Sequence, residues 1–280
     1  MSNTNMPALP QSAVRSLTND PAEWIFPIQK TASWMNDFVN NFDSIDIRIW
    51  DDSEDQVGQY VATSSHLNGM SGPEAAARMK SLLTVLNGVL RIRRGITFLN
   101  LELGNGYRRD TTAQAQYGLV MPAVSIFPAN VNKIRYSKQS NFKLSDDGRR
   151  VFMCRSDPWL LPIFEVLGEE GFSFVSLYKV LDTITGSLKA DNKPYQKKDI
   201  AAIGNVTKSD LDNFTYTANN YHVAGTSSRH GKQAASSISI QSKVLSITEA
   251  VDTVMLPIIR NFVTQRIGAT FPQAWQAVLI

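Results

Sequence analysis

The sequence predicts an α+β protein: a small N-terminal α/β unit with antiparallel strands, followed by a C-terminal helical bundle. Three observations carry this prediction. Ile45, Ile47 and Ile49 alternate with Asp46, Arg48 and Trp50, the period-two pattern of a half-buried strand. The segment "SGPEAAARMKSLLTVLNGVLRIRRG" repeats apolar residues at helical spacing. Beyond residue 148 the apolar patterns are helical almost throughout.

In chain order, residues 1–20 are polar and read as a flexible lead-in, and residues 21–148 as the α+β domain. Asp20 and Pro21 have the form of a helix opening. Pro27 interrupts it, which predicts a short turn and then a helix from Thr31 to Asn40. The Ile45–Ile49 strand follows. The next helix is capped by Ser71, with Pro73 and Glu74 in its first turn. Its apolar stripe is Ala76, Met79, Leu82, Leu83, Leu86 and Val89. Arg91, Arg93 and Arg94 suit the negative end of its dipole, and Gly95 can stop it. Strands are predicted at "ITFLNLEL", "QYGLVMPAVSIF" and "NKIRYSK", with Pro122 marking an edge or bend.

"SKQSNFKLSDDGRR" is polar and turn-rich and sets the boundary near 148, so that 149–280 form the helical domain. Asp157 and Pro158 open one helix. Phe172, Val175, Leu177, Tyr178, Leu181 and Ile184 mark a second. "KADNKPYQKKD" reads as a loop, and a short helix begins at Ser209 or Asp210. Asn219 and Asn220, which tolerate left-handed backbone, are placed at its end. Ser246 and Glu249 have capping-box spacing at the start of the last helix, where Pro257 predicts a kink. The tail "FPQAWQAVLI" is expected to pack back on the fold.

Composition narrows the function. The net charge of +3 over 280 residues lacks the concentrated basic face of a dedicated phosphate binder. One cysteine, Cys154, excludes an intramolecular disulfide and a Cys-based zinc cluster. No leader peptide and no apolar run of about 18 residues is present, so a cytoplasmic protein without a membrane span is expected. No Walker loop, Gly-x-Ser-x-Gly or zincin motif occurs, and "LGNGYRRD" lacks the third glycine and following helix of a dinucleotide fingerprint. No cofactor or metal is expected.

The distinctive stretch is "FTYTANNYHVAGTSSRHGKQ", which holds two of three histidines, His222 and His230. A histidine can move protons near neutral pH, and an adjacent arginine can clamp a phosphate. The bland reading makes Arg229 the partner of a helical carboxylate such as Asp182. With "WLLPIFEVLG", "SLYKVLDTI" and "LSITEAVDTV", the stretch resembles the HEPN-like helical domains of bacterial abortive-infection and toxin-type proteins, over residues 155–266. That resemblance implies a helical bundle, a homodimer, and RNA as partner, either bound or cleaved without metal in phage defence or stress. Arg229 and His230 would be catalytic, with Asn219, His222 and Lys232 contacting the substrate. One departure stands out: HEPN nucleases separate the Arg from the His by several residues, whereas Arg229 and His230 are adjacent. The alternative is a non-catalytic interaction or structural module in which the Arg-His-Gly loop is a fold latch.

Overall fold

A computed structural model of the chain describes residues 23–29, 33–52, 60–109, 114–115, 122–127, 144–229 and 243–276. The architecture is α+β, with a small antiparallel sheet in the N-terminal part and mostly helices after it. The described residues divide into two compact units. One holds those up to Leu83, from Leu101 to Phe152, and Trp275 with Gln276; the other holds Thr84–Asn100 and those from Met153 to Ala274. A boundary read along the chain does not show such interleaving, because contacts between distant segments decide it.

The first unit contains β1 (Trp24–Gln29), α1 (Met35–Asn41), β2 (Arg48–Asp51) and β3 (Tyr60–Thr63). It continues with the first part of α2 (Gly72–Arg94), β4 (Glu102–Leu103), β5 (Gly106–Arg108), β6 (Gln114–Ala115) and α3 (Asp146–Met153). The sheet order is β2-β3-β1-β5-β6, with β4 also on β1, all antiparallel.

The central strand is β1, where the sequence predicts a turn. Trp24, Ile25, Phe26 and Ile28 are all buried, and covering both faces outweighs the poor strand propensity of Pro27. The missing N–H is accommodated by a bulge. Three steps along β1, from Ile25 to Ile28, face four steps from Tyr107 to Leu103. At this interruption Gly104 N–H donates to the Pro27 carbonyl at 2.8 Å, so the ladder breaks where proline has nothing to donate.

Other boundaries also differ from expectation. The first helix starts at Met35; Thr31, Asp20 and Pro21 lie outside the described residues. Only Glu102–Leu103 of "ITFLNLEL" is strand. Residues 122–127 hold no strand, and 116–121 and 132–138 lie outside the described residues. The expected polar boundary carries α3, whose first turn holds Asp146 and Asp147 and whose last holds Arg150, as the helix dipole favours.

The second unit contains the rest of α2, α4 (Leu160–Glu170), α5 (Phe174–Ala190), α6 (Lys197–Ile203), α7 (Lys208–Asn219) and α8 (Tyr221–Ala224). A 3-10 turn (Gly225–Ser227), α9 (Ile247–Glu249), a π-helical segment (Ala250–Met255) and α10 (Leu256–Gln276) as far as Ala274 complete it. Asp157 Oδ1 accepts from the N–H groups of Trp159 and Leu160 ahead of α4, as expected of a helix opener. The sequence reading gave Ser209 or Asp210 as the start of α7. Thr207 is the cap instead, and Asp210 is its capping-box partner. α6 occupies the end of the segment read as a Lys/Asp loop. The predicted capping box of Ser246 and Glu249 is present. The π segment ends just before Pro257, whose ring conflicts with an α-helical carbonyl one turn back. α10 continues past Pro272 to Gln276; the last four residues of the tail lie outside the described residues.

α2 and α4 cross at two glycines. A Cβ on Gly88 would stand 2.0 Å from the Phe164 carbonyl oxygen, and one on Gly168 would stand 1.9 Å from that of Thr84. The pairing of 88 with 164 and of 84 with 168 makes the crossing antiparallel, and the backbones touch there. Arg91 ties the chain that follows α2. Its guanidinium donates to the Phe98 carbonyl (3.3 Å) and to Asn100 Oδ1 (2.6 Å), beside the rings of Phe98 and Phe172. Burial holds its pKa below the ordinary arginine value.

Candidate functional site

The site begins with α5. Ser173 caps it through a reciprocal bond with Ser176. Tyr178 and Asp182 stand one helical turn apart, so both project from the same face. α7 supplies Phe214, whose ring stacks with that of Tyr178 at 6.3 Å between centroids. It also supplies Asn219, its last residue, whose Nδ2 donates to the Tyr178 hydroxyl at 3.2 Å. Asn219 Oδ1 is buried and meets no partner among the described residues. Asn220 ends the helix in extended backbone (φ −101°) rather than left-handed; the positive φ falls on Gly225.

Arg229 reaches this face. Its backbone N–H donates to the Ala218 carbonyl at 2.8 Å, which fixes the residue to the end of α7. Its guanidinium lies over the Tyr178 ring, 4.1 Å from the centroid, and Nη2 is 3.1 Å from Asp182 Oδ2. The stack therefore runs Arg229, Tyr178, Phe214. The pair opens to solvent: the Arg229 side chain is 38% exposed and that of Asp182 56%.

The predicted site residues are brought together in part. Asn219 and Arg229 share Tyr178 as a neighbour. His222 lies in α8, and His230 and Lys232 lie outside the described residues. Basic residues elsewhere in the chain hold ion pairs: Arg149 with Asp146, Arg150 with Asp147, Lys193 with Asp191 and Lys197 with Asp212. Hydrogen bonds from Lys197, and then from Lys208, hold the Asp212 carboxyl below the usual range.

The sequence reading missed three buried polar groupings. In the first unit, His66 Nε2 and Asp46 Oδ1 lie 2.8 Å apart, with both side chains fully buried. The alternation of isoleucines placed Asp46 on a solvated face, but both faces are covered here. Ser64 adds to the grouping, accepting the His66 backbone N–H at 3.1 Å. The second is the Arg91 tie. The third lies where α10 meets α5: Arg266 bonds Asp157, Ser187 (2.8 Å) and Asp191 (3.0 Å). The first and third have no local sequence signature, since His66 and Asp46 lie 20 residues apart and Arg266 and Asp157 109 apart, and these meet only in the fold. The partners of Arg91 lie 7 and 9 residues away in an irregular segment with no motif to mark them.

Among the described residues no group of three or more His, Cys, Asp or Glu side chains is placed to hold a metal ion. Nor, among those residues, is any helix long and apolar enough to cross a membrane. Cys154 is buried. No protein-family model, curated protein or solved structure matches the chain.

Proposed function

We propose that this chain is a non-catalytic interaction module in which Arg229 is a fold latch, holding the segment after α8 against α5 and α7. One observation carries the reading: among the described residues, the contacts of Arg229 are all within the fold. Its N–H is on Ala218, its cation on Tyr178 and its charge on Asp182. A phosphate-clamping arginine keeps its donors for the ligand. The lone buried thiol fits a reducing cytoplasm. The test compares Arg229→Ala with the wild type in denaturant unfolding and in retardation of mixed RNA. A latch loses stability with no change in RNA behaviour; unchanged stability together with lost RNA binding would sink this reading.

A second reading is favoured by the exposure of the Arg229–Asp182 pair, at which a phosphate can compete with the carboxylate. In it the chain is a homodimeric RNA-binding or metal-independent RNA-cleaving protein of phage defence, as the HEPN resemblance implies. Arg229 and His230 would act on the phosphate, with Asn219, His222 and Lys232 in support. Incubation of the protein with mixed RNA in EDTA, beside His230→Ala, decides it. Cleavage by the wild type alone supports this reading, and no cleavage or equal cleavage by both removes the catalytic role.

A further inference from the structure

α5, α6 and α10 enclose a groove of about 460 Å³, within the roughly 300–1,000 Å³ typical of small-molecule sites. Its walls are apolar: Leu188 from α5, Ile203 from α6, and Phe262 and Ala269 from α10. Charged groups sit at its edge. Arg266 lines it, with a side chain only 14% exposed. Its Nε and Nη1 donors are already committed to Asp157, Ser187 and Asp191. Lys193 is 3.4 Å from Asp191. Asp199, in the first turn of α6, accepts the Gln196 backbone N–H at 3.0 Å and, among the described residues, no other hydrogen bond.

The charges decide the class of occupant. Two carboxylates, Asp191 and Asp199, and two cations, Arg266 and Lys193, line the groove; Asp191 holds both cations, and the buried Asp157 behind the wall holds Arg266 as well. Among the described residues Asp199 is the lining carboxylate that no cation holds, so its charge stays open to a ligand. An anionic ligand would have to displace an internal carboxylate from Arg266. A cationic head meets Asp199 at no such cost, while an apolar body covers Leu188, Ile203 and Phe262. We infer that the groove between α5, α6 and α10 binds a small amphipathic amine, with its ammonium group on Asp199 and its apolar body on the wall.

Isothermal titration of the full chain with phenethylamine tests this, with 3-phenylpropionate as the anion of matched size. The expected result is saturable binding of the amine and none of the anion. Asp199→Asn, which keeps an acceptor for the Gln196 N–H, should weaken binding about tenfold, equivalent to about 1.4 kcal/mol. Ala269→Phe, which fills the groove from an exposed position, should abolish it. Absence of saturable heat with the amine overturns the inference. So does anion binding as tight as amine binding, or an Ala269→Phe variant that binds normally. If Asp199→Asn unfolds, Ala269→Phe still decides.

Discussion

At the residue scale, two pairs with opposite exposure carry different weights. Arg229 and Asp182 share solvent, so their charge attraction contributes about 0.2–1 kcal/mol, and the stack on Tyr178 adds about 0.5–1 kcal/mol. Arg229→Ala is therefore expected to lower unfolding stability by about 1–2 kcal/mol in a urea titration. Arg229→Lys should fall between, since it keeps the charge but loses the planar stack. His66 and Asp46 are fully buried. His66→Ala leaves a carboxylate in the core short of a hydrogen bond and opens a cavity, at a cost of about 3 kcal/mol or more. A loss below that of Arg229→Ala in the same titration would show that the buried pair contributes little. The sequence named Asp182 as a potential partner of Arg229, because opposite charges on helix and loop were visible in it. It gave no sign of His66 and Asp46, whose meeting depends on the pairing of β2 with β3.

At the element scale, the α2–α4 crossing and the start of the last helix each make a prediction. Gly88→Ala and Gly168→Ala each push a methyl group into a backbone carbonyl. Each is expected to cost about 1–3 kcal/mol, as overpacking does. A helix-propensity gain alone would instead raise stability by up to about 1 kcal/mol, so the sign of the change in thermal midpoint decides. At Ser246, Glu249 accepts the backbone N–H first, then bonds from Lys243 and the Ser246 hydroxyl, and its pKa falls from 4.5 to about 2. A carboxyl with a depressed folded pKa contributes stability that is fully present above pH 4.5. That contribution is lost as the pH falls from there toward about 2. Glu249→Gln should accordingly show a shallower loss of stability over that window when melts are recorded at successive pH values.

At the scale of the whole molecule, the α+β class and the long helices were legible because periodicity over many residues averages out local exceptions. α2 and α5 are examples, and the start of the last helix was legible from the capping-box spacing of Ser246 and Glu249. The central strand was not legible. Pro27 argues against a strand locally, and only the covering of both faces and the bulge at Gly104 reverse that. The interleaved units were hidden for the same reason, since residues 84–100 find their neighbours in helices that follow much later. Of the candidate site, the Arg229 contact was foreseeable, whereas Tyr178, which both Arg229 and Asn219 touch, looked like one more core residue of an amphipathic helix. Cys154 offers a measurement for the folded chain: it is the only cysteine and is 4% exposed. Its reaction with Ellman's reagent should be far slower than that of an unfolded control and should accelerate in step with unfolding as denaturant is added. Immediate full labelling in buffer would contradict the burial.

The π turn before Pro257 has a consequence for how one helix keeps one side inward. From Ala250 to Val263 the buried residues recur at intervals of four: 250 and 251, 254 to 256, 258 and 259, 262 and 263. An unbroken α-helix turns about 100° per residue, so a repeat of four would swing its inward side by about 120° over twelve residues. The wider π turn rotates the other way relative to that repeat and cancels much of the swing. The extra residue thus serves as a phase correction: the apolar residues after the proline point where those before it do, and a one-residue deletion in this segment would rotate everything downstream out of register.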